Sequence, residues 1–218
     1  MTFRVLALDA ALARCSAAIV AGPAVIAQRT EDTARGHAAL LPVMARAVLD
    51  EAPCTLDFVA VTIGPGSFTG IRAGLALAHG IALGLGIPVI GVTVGEALAQ
   101  SLPHLSGRTL WAVTDSRRDR VFLEIGDSVA PHDLLSLPAP SGPIAIAGDA
   151  AIAVTARLAA RDFDVMLTDA FLPNPLYIAL AAAERFAGRI SARTAQPLYV
   201  DPPEAKLPAG GLRPPPAS

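Results

Sequence analysis

The sequence predicts an α/β fold of two similar lobes, and three observations carry that reading. Three strand-like segments, 4–9, 15–20 and 24–29, precede a helix–strand–helix–strand–helix succession. The strands within that succession, Phe58-Val59-Ala60-Val61-Thr62-Ile63 and Val89-Ile90-Gly91-Val92, are nearly unbroken apolar runs, as expected of a parallel sheet covered on both faces. The second half then repeats the order in reduced form. The lobes are expected at 1–103 and 104–201.

Each element has a local reason. Segment 4–9 is an apolar run that stops at Asp9, and Gly22-Pro23 turns the chain between the next two strands. Leu40, Leu41, Met44 and Val48 recur at helical spacing over 37–51, with Pro53 just past the end. Strand 58–63 runs into Gly64-Pro65-Gly66-Ser67-Phe68-Thr69-Gly70, and a helix follows over 71–85. Gly84-Leu85-Gly86-Ile87-Pro88 breaks the chain before strand 88–92 and a short helix, 95–102. Pro103 and Gly107 mark the boundary. Strands 109–114 and 120–125 then flank the polar turn Asp115-Ser116-Arg117-Arg118-Asp119. Residues 126–142, with Pro131, Pro138, Pro140 and Gly142, read as loop. Strand 144–147, helix 150–160, strand 163–168 and helix 174–188 complete the second lobe. The Pro/Gly-rich stretch 202–218 reads as a disordered tail.

Composition narrows the function. Hydrophobic residues make up 53% of the 218 and charged residues 17%, ample for a packed core. Lys and Arg number 17 against 19 Asp and Glu, a net charge of −2. A chain that grips a nucleic-acid backbone unaided is usually basic, so this one is a poor candidate for that task. Cys15 and Cys54 supply no disulfide or zinc framework and read as reduced thiols of a cytosolic protein. The N-terminal apolar run is too short for a signal peptide. Between Arg72 and Glu96 the only titratable residue is His79, a stretch long enough to imitate a membrane span, but Pro88 and its glycines divide it into helix and strand.

Catalytic patterns are sparse. No two of His37, His79, His104 and His132 lie within a helical turn, so no HxxxH metal pair exists. Cys15-Ser16 has no base nearby in sequence and reads as a half-buried strand pair. Asp9 is followed by Ala10-Ala11-Leu12-Ala13-Arg14, with no glycine to let backbone approach a phosphate, and reads as a strand-end polar residue. The helix over 71–85 is apolar nearly all round, which requires burial on more than one side. Ala76, Gly80 and Gly84 form a small-residue stripe on it, suited either to packing against helix 37–51 or to a second chain.

Gly64-Pro65-Gly66-Ser67-Phe68-Thr69-Gly70-Ile71-Arg72 resembles the GPGSFTGxR signature of the TsaB (YeaZ) family, the dimerisation subunit of the bacterial tRNA threonylcarbamoyladenosine machinery. The resemblance runs from about Phe3 to Lys206 and is densest over 58–96. It implies an actin/hexokinase/Hsp70-like (ASKHA) two-lobed fold with a duplicated mixed-sheet plus helices subdomain, the second lobe degraded. It also implies a non-catalytic, cytoplasmic subunit that binds and activates a metal-bearing TsaD-like paralogue. That paralogue transfers threonylcarbamoyl to the adenosine beside the anticodon of ANN-decoding tRNAs. A small TsaE-like ATPase joins them, the chain pairs with itself when alone, tRNA is met only through the complex, and no membrane is involved. ATP and metal belong to the partner subunits, and no cofactor to this chain.

The resemblance also distributes roles. The paralogue's metal-binding His-x-x-x-His falls where this chain has Val94 and Leu98, neither a ligand. The partner interface is expected on His37, Leu40, Leu41, Met44, Val48, Arg72, Ala76, His79, Gly80 and Leu83, with His37 at the surface. Arg72, in the first helical turn, is read as a member of an ion pair, as a contact to an acidic partner or nucleotide, or as a solvated surface cation. Asp115-Ser116-Arg117 resembles the family's Asp-Ala-Arg turn. Gly148-Asp149 resembles its Gly-Asp, with Asp149 as a helix N-cap. Gln196-Pro197-Leu198-Tyr199-Val200 resembles its Pro-x-Tyr ending, though Asp201 stands where Arg is frequent. Two other activities come under comparison: a small-molecule kinase of the same superfamily and a peptidase.

Overall fold

The computed structural model describes residues 2–102, 104–117 and 119–200; Pro103 and the tail 202–218 lie outside the described residues. The first lobe runs β1 (Arg4–Asp9), β2 (Arg14–Ala21), β3 (Ala24–Asp32), α1 (His37–Glu51), β4 (Phe58–Gly64), α2 (Phe68–Leu85), β5 (Val89–Thr93) and α3 (Val94–Ser101). The second runs β6 (Thr109–Arg117), β7 (Arg120–Ile125), β8 (Ser128–Asp133), β9 (Ile144–Ala147), α4 (Ala151–Ala159) and β10 (Val165–Leu167), followed by α5 (Pro175–Phe186).

The first sheet has the order β3-β2-β1-β4-β5, and the second has the order β8-β7-β6-β9-β10. The strand directions match as well. The hairpin strands pair antiparallel in both sheets, and the strands on the other side of β1 and β6 pair parallel. This is the duplicated ASKHA subdomain. Even a side-chain pair is repeated: Arg14 meets Asp32 at 2.7 Å across β2–β3, and Arg120 meets Asp133 at 3.6 Å across β7–β8. The second lobe lacks a helix between β8 and β9, where the first has α1.

Two sequence expectations are corrected here. The segment 126–142 is not all loop: β8 forms within it, and Pro131 is accommodated because β8 is an edge strand. Helix α2 starts at Phe68 rather than Ile71, because the Ser67 hydroxyl accepts a hydrogen bond from the Gly70 N–H at 3.3 Å and caps the first turn. At its other end Gly86 adopts φ 68°, a left-handed stop that glycine takes without strain.

The division at 103/104 also needs amending. Helix α5 packs on the first sheet, with Ile178, Ala179, Ala181 and Ala182 against Val5, Ala7, Phe58 and Ala60. Phe186 stacks with Phe3 and Phe58 at centroid distances of 5.2 and 4.8 Å. Arg185, 8% exposed, fastens α5 to α3. Its guanidinium donates to the Gly91 carbonyl at 2.7 Å, the Ser191 carbonyl at 2.8 Å and both oxygens of Glu96. The first sheet thus lies between α1 and α2 on one face and α3 and α5 on the other. By length and composition α2 would cross a membrane, but Ile71, Gly74, Leu75, Ala78 and Ala82 are buried against the chain's own core.

Candidate functional site

Two surfaces concentrate the residues singled out by sequence: a cleft between the lobes and the outer face of α1 and α2. The cleft encloses about 540 Å³ and is lined by Leu12, His37, Ser67, Thr69, Asp115 and Asp149, among others.

At its floor the β1–β2 turn meets the glycine-rich turn. A Cβ on Gly66 would lie 2.2 Å from the Ala11 carbonyl oxygen, and one on Gly70 would lie 1.9 Å from that of Ala10. The Ser67 N–H donates to the Ala11 carbonyl at 2.7 Å. The motif glycines therefore let two backbone segments of this chain touch. The 10–12 turn thus fills the space against the glycine-rich turn.

Asp9 is more than a strand-end residue. It is fully buried, and its Oδ1 accepts from the Thr62 hydroxyl at 2.6 Å and the Ala11 N–H at 3.0 Å, while Oδ2 has no partner. Burial raises its pKa above the usual carboxylate range. Cys15 and Ser16 are fully buried rather than half-buried. The Cys15 thiol approaches the His37 carbonyl at 4.0 Å, and burial pushes it up to about 11, an inert thiol. His37 is not at the surface: it is 7% exposed and its Nε2 has no partner. Asp149 is not an N-cap. Ala150 holds that position in α4, and the Asp149 carboxylate accepts from the Asp115 N–H at 2.8 Å. Desolvation in the cleft raises Asp149 to about 6. Among the described residues no group of three or more His, Cys, Asp or Glu is placed to hold a metal, and Val94 and Leu98 are packed in the core.

On the outer face the interface residues separate. Leu41, Met44 and Val48 point inward and fasten α1 to the sheet, so they cannot touch a partner directly. Leu40 is half-buried, and Ala76, His79, Gly80 and Leu83 are exposed, Leu83 at 86%. A Cβ on Gly80 or Gly84 would meet nothing within 4 Å, so the small-residue stripe faces away from α1. Val43 of α1 is also exposed, at 68%, and the sequence reading passed over it because it lies off the helical stripe that Leu40, Leu41, Met44 and Val48 define.

Arg72 is exposed, as read, but lies in the second turn of α2 rather than the first. Its guanidinium lies 3.7 Å from the Phe68 ring centroid and donates to the Tyr199 hydroxyl at 2.9 and 2.7 Å. His79 Nε2 lies 2.9 Å from the Ala195 carbonyl, and the Leu198 N–H donates to the Ile63 carbonyl at 2.9 Å. The 194–200 segment is thereby strapped along α2.

A family model described as TsaD: tRNA N6-adenosine threonylcarbamoyltransferase matches residues 25–163, more than half of the chain. The Escherichia coli tRNA threonylcarbamoyladenosine biosynthesis protein TsaB is 35% identical over 123 residues, 55% of this chain and 53% of that protein. A solved Pseudomonas aeruginosa YeaZ structure superposes with a TM-score of 0.71 at 26% identity, covering 90% of this chain and 100% of that one. The chain belongs to this family, in its TsaB (YeaZ) branch. The Jannaschia tRNA N6-adenosine threonylcarbamoyltransferase is 32% identical over 197 residues, 69% of this chain and 55% of that enzyme. The chain spans about half the length of the curated relatives it matches.

Proposed function

We propose that this TsaB-family chain is a non-catalytic subunit that binds and activates a metal-bearing, TsaD-like threonylcarbamoyltransferase in threonylcarbamoyladenosine formation on ANN-decoding tRNAs. The observation that carries the proposal is the exposed apolar surface of α1 and α2: Val43 and Leu83 are exposed, and a Cβ on Gly80 or Gly84 would meet no described atom within 4 Å. The biosynthetic role named for the Escherichia coli relative supplies the pathway.

A silent site of its own is supported by three features. The motif glycines are engaged by the 10–12 turn, Asp9 is sealed from solvent, and Val94 and Leu98, which by the resemblance fall at the paralogue's metal-ligand positions, are buried apolar residues. ATP and metal then act on the partner subunits, the paralogue and a TsaE-like ATPase. Transfer RNA is met through the complex, in the cytoplasm, and the same helical face closes a homodimer when the paralogue is absent.

The test is Gly80→Glu, whose Cβ would meet no described atom within 4 Å and which raises helix propensity. Co-purification with the paralogue from the same organism, followed by size-exclusion chromatography, is expected to show the complex lost. A complex of undiminished stability would overturn the proposed interface.

A further inference from the structure

Glu124 ties the lobes together outside the cleft. Strand β7 places it opposite Ala112 of β6 and Val129 of β8. Its side chain leaves the second lobe and reaches the β5–α3 junction of the first. One carboxyl oxygen meets the Thr93 hydroxyl, and Oε2 accepts from the Gly95 N–H at 2.9 Å. Glu124 is only 4% exposed. A Cβ on residue 95 would lie 2.3 Å from the Glu124 Cδ, so only glycine admits this approach.

The surrounding charges come from four elements. Glu96 in α3 completes a capping box with Thr93. Arg185 of α5 pairs with Glu96. Arg193, beyond α5, lies 3.5 Å from Glu96 and 3.4 Å from Asp127 of the β7–β8 turn. Both arginines are thus engaged by other acids, and the two direct contacts of Glu124 are with uncharged groups.

We infer that Glu124 is a proton-dependent clasp between the lobes: as the neutral acid it holds them together, and loss of its proton favours a parted arrangement. Burial pushes this carboxyl up to about 7; the bonds from Thr93 and Gly95 pull against it, the Glu96 charge adds to the rise, and the Arg193 charge lowers it. In a parted arrangement, open to water, the group returns to its ordinary value of 4.5. The sign follows from a raised carboxyl pKa: the clasp is at full strength below pH 4.5 and weakens as pH rises to about 7, then stays weak. A difference of about 2.5 units changes the ratio of closed to parted molecules roughly 300-fold across that window. The clasp lies wholly within this chain and does not depend on the proposed partner.

The test is electron–electron double resonance between spin labels on Cys54, exposed in the first lobe, and on Leu135→Cys, a 75% exposed position in the second. In the otherwise unaltered full chain the distance distribution is expected to lengthen and broaden between pH 5 and pH 8.5, with the change falling between pH 4.5 and about 7. With Glu124→Gln it should hold the closed distance at both pH values. An invariant distribution in the unaltered chain, or an equal shift in Glu124→Gln, would overturn the clasp. If circular dichroism shows Glu124→Gln unfolded, the ¹³C carboxyl titration of Glu124 in the unaltered protein decides: a midpoint coinciding with the distance change is expected, and one near 4.5 contradicts it.

Discussion

Gly70→Ala separates two readings of the signature turn. If its glycines exist to let backbone pack on backbone, the substitution damages the fold. If they exist to cradle a ligand, the fold survives and only binding suffers. The added Cβ would start 1.9 Å from the Ala10 carbonyl oxygen, whereas such contacts are essentially never under 3.0 Å, so the 10–12 turn must retreat by about 1 Å. That retreat strains a buried junction, for which overpacking costs about 1–3 kcal/mol. It also loosens the Ser67 N–H to Ala11 carbonyl bond and the Ala11 N–H to Asp9 bond, about 1 kcal/mol each. The expected loss is about 3–5 kcal/mol, near 10 °C in Tm for a chain of this size. Urea denaturation followed by circular dichroism measures it. A loss under about 1 kcal/mol would refute the packing account of the turn.

Other outcomes follow from single contacts. Arg185→Ala leaves Glu96 and the Gly91 and Ser191 carbonyls without their donor, so urea unfolding should show a loss of about 3–5 kcal/mol. A loss near zero would mean that α5 is held by its apolar face alone. A thiol-reactive chromophore should label Cys54 rapidly and Cys15 only at the rate of unfolding, because Cys15 is buried with its thiol raised to about 11. Two fast thiols per chain would contradict that burial. Because the Glu124 carboxyl is raised to about 7 from its ordinary value of 4.5, its contribution to stability diminishes as pH rises across that range, by up to about 3 kcal/mol. Urea unfolding at pH 4.5 and pH 8 should therefore show a smaller decline for Glu124→Gln than for the unaltered chain. Parallel declines would remove Glu124 as the cause.

Much of the first lobe was legible because its local signals agree. The 37–51 helix matches α1 at both ends, and an apolar strand, a glycine turn and a capping serine make the passage from β4 to α2 readable within three residues. Strand β8 escaped notice because an edge strand can hold a proline and need not alternate cleanly. The allegiance of α5 was invisible: the apolar face that Ile178, Ala179 and Ala182 present does not say which sheet it will cover. Arg72 could not be paired with Tyr199 from sequence, since 127 residues separate them. His37 looked like a surface residue because helix starts are usually exposed; here the helix begins at the wall of the cleft. Glu124 did leave a signal, a lone acid in the apolar run Val121-Phe122-Leu123-Glu124-Ile125, and an acid so placed needs a buried donor.

The most direct test of the proposed function is mass spectrometry of tRNA nucleosides from host cells depleted of this protein. Depletion should remove threonylcarbamoyladenosine, and re-expression of the unaltered chain, but not of Gly80→Glu, should restore it. Unchanged threonylcarbamoyladenosine under verified depletion would contradict a role in the pathway, and full restoration by Gly80→Glu would contradict the α1–α2 face as the route by which the chain acts.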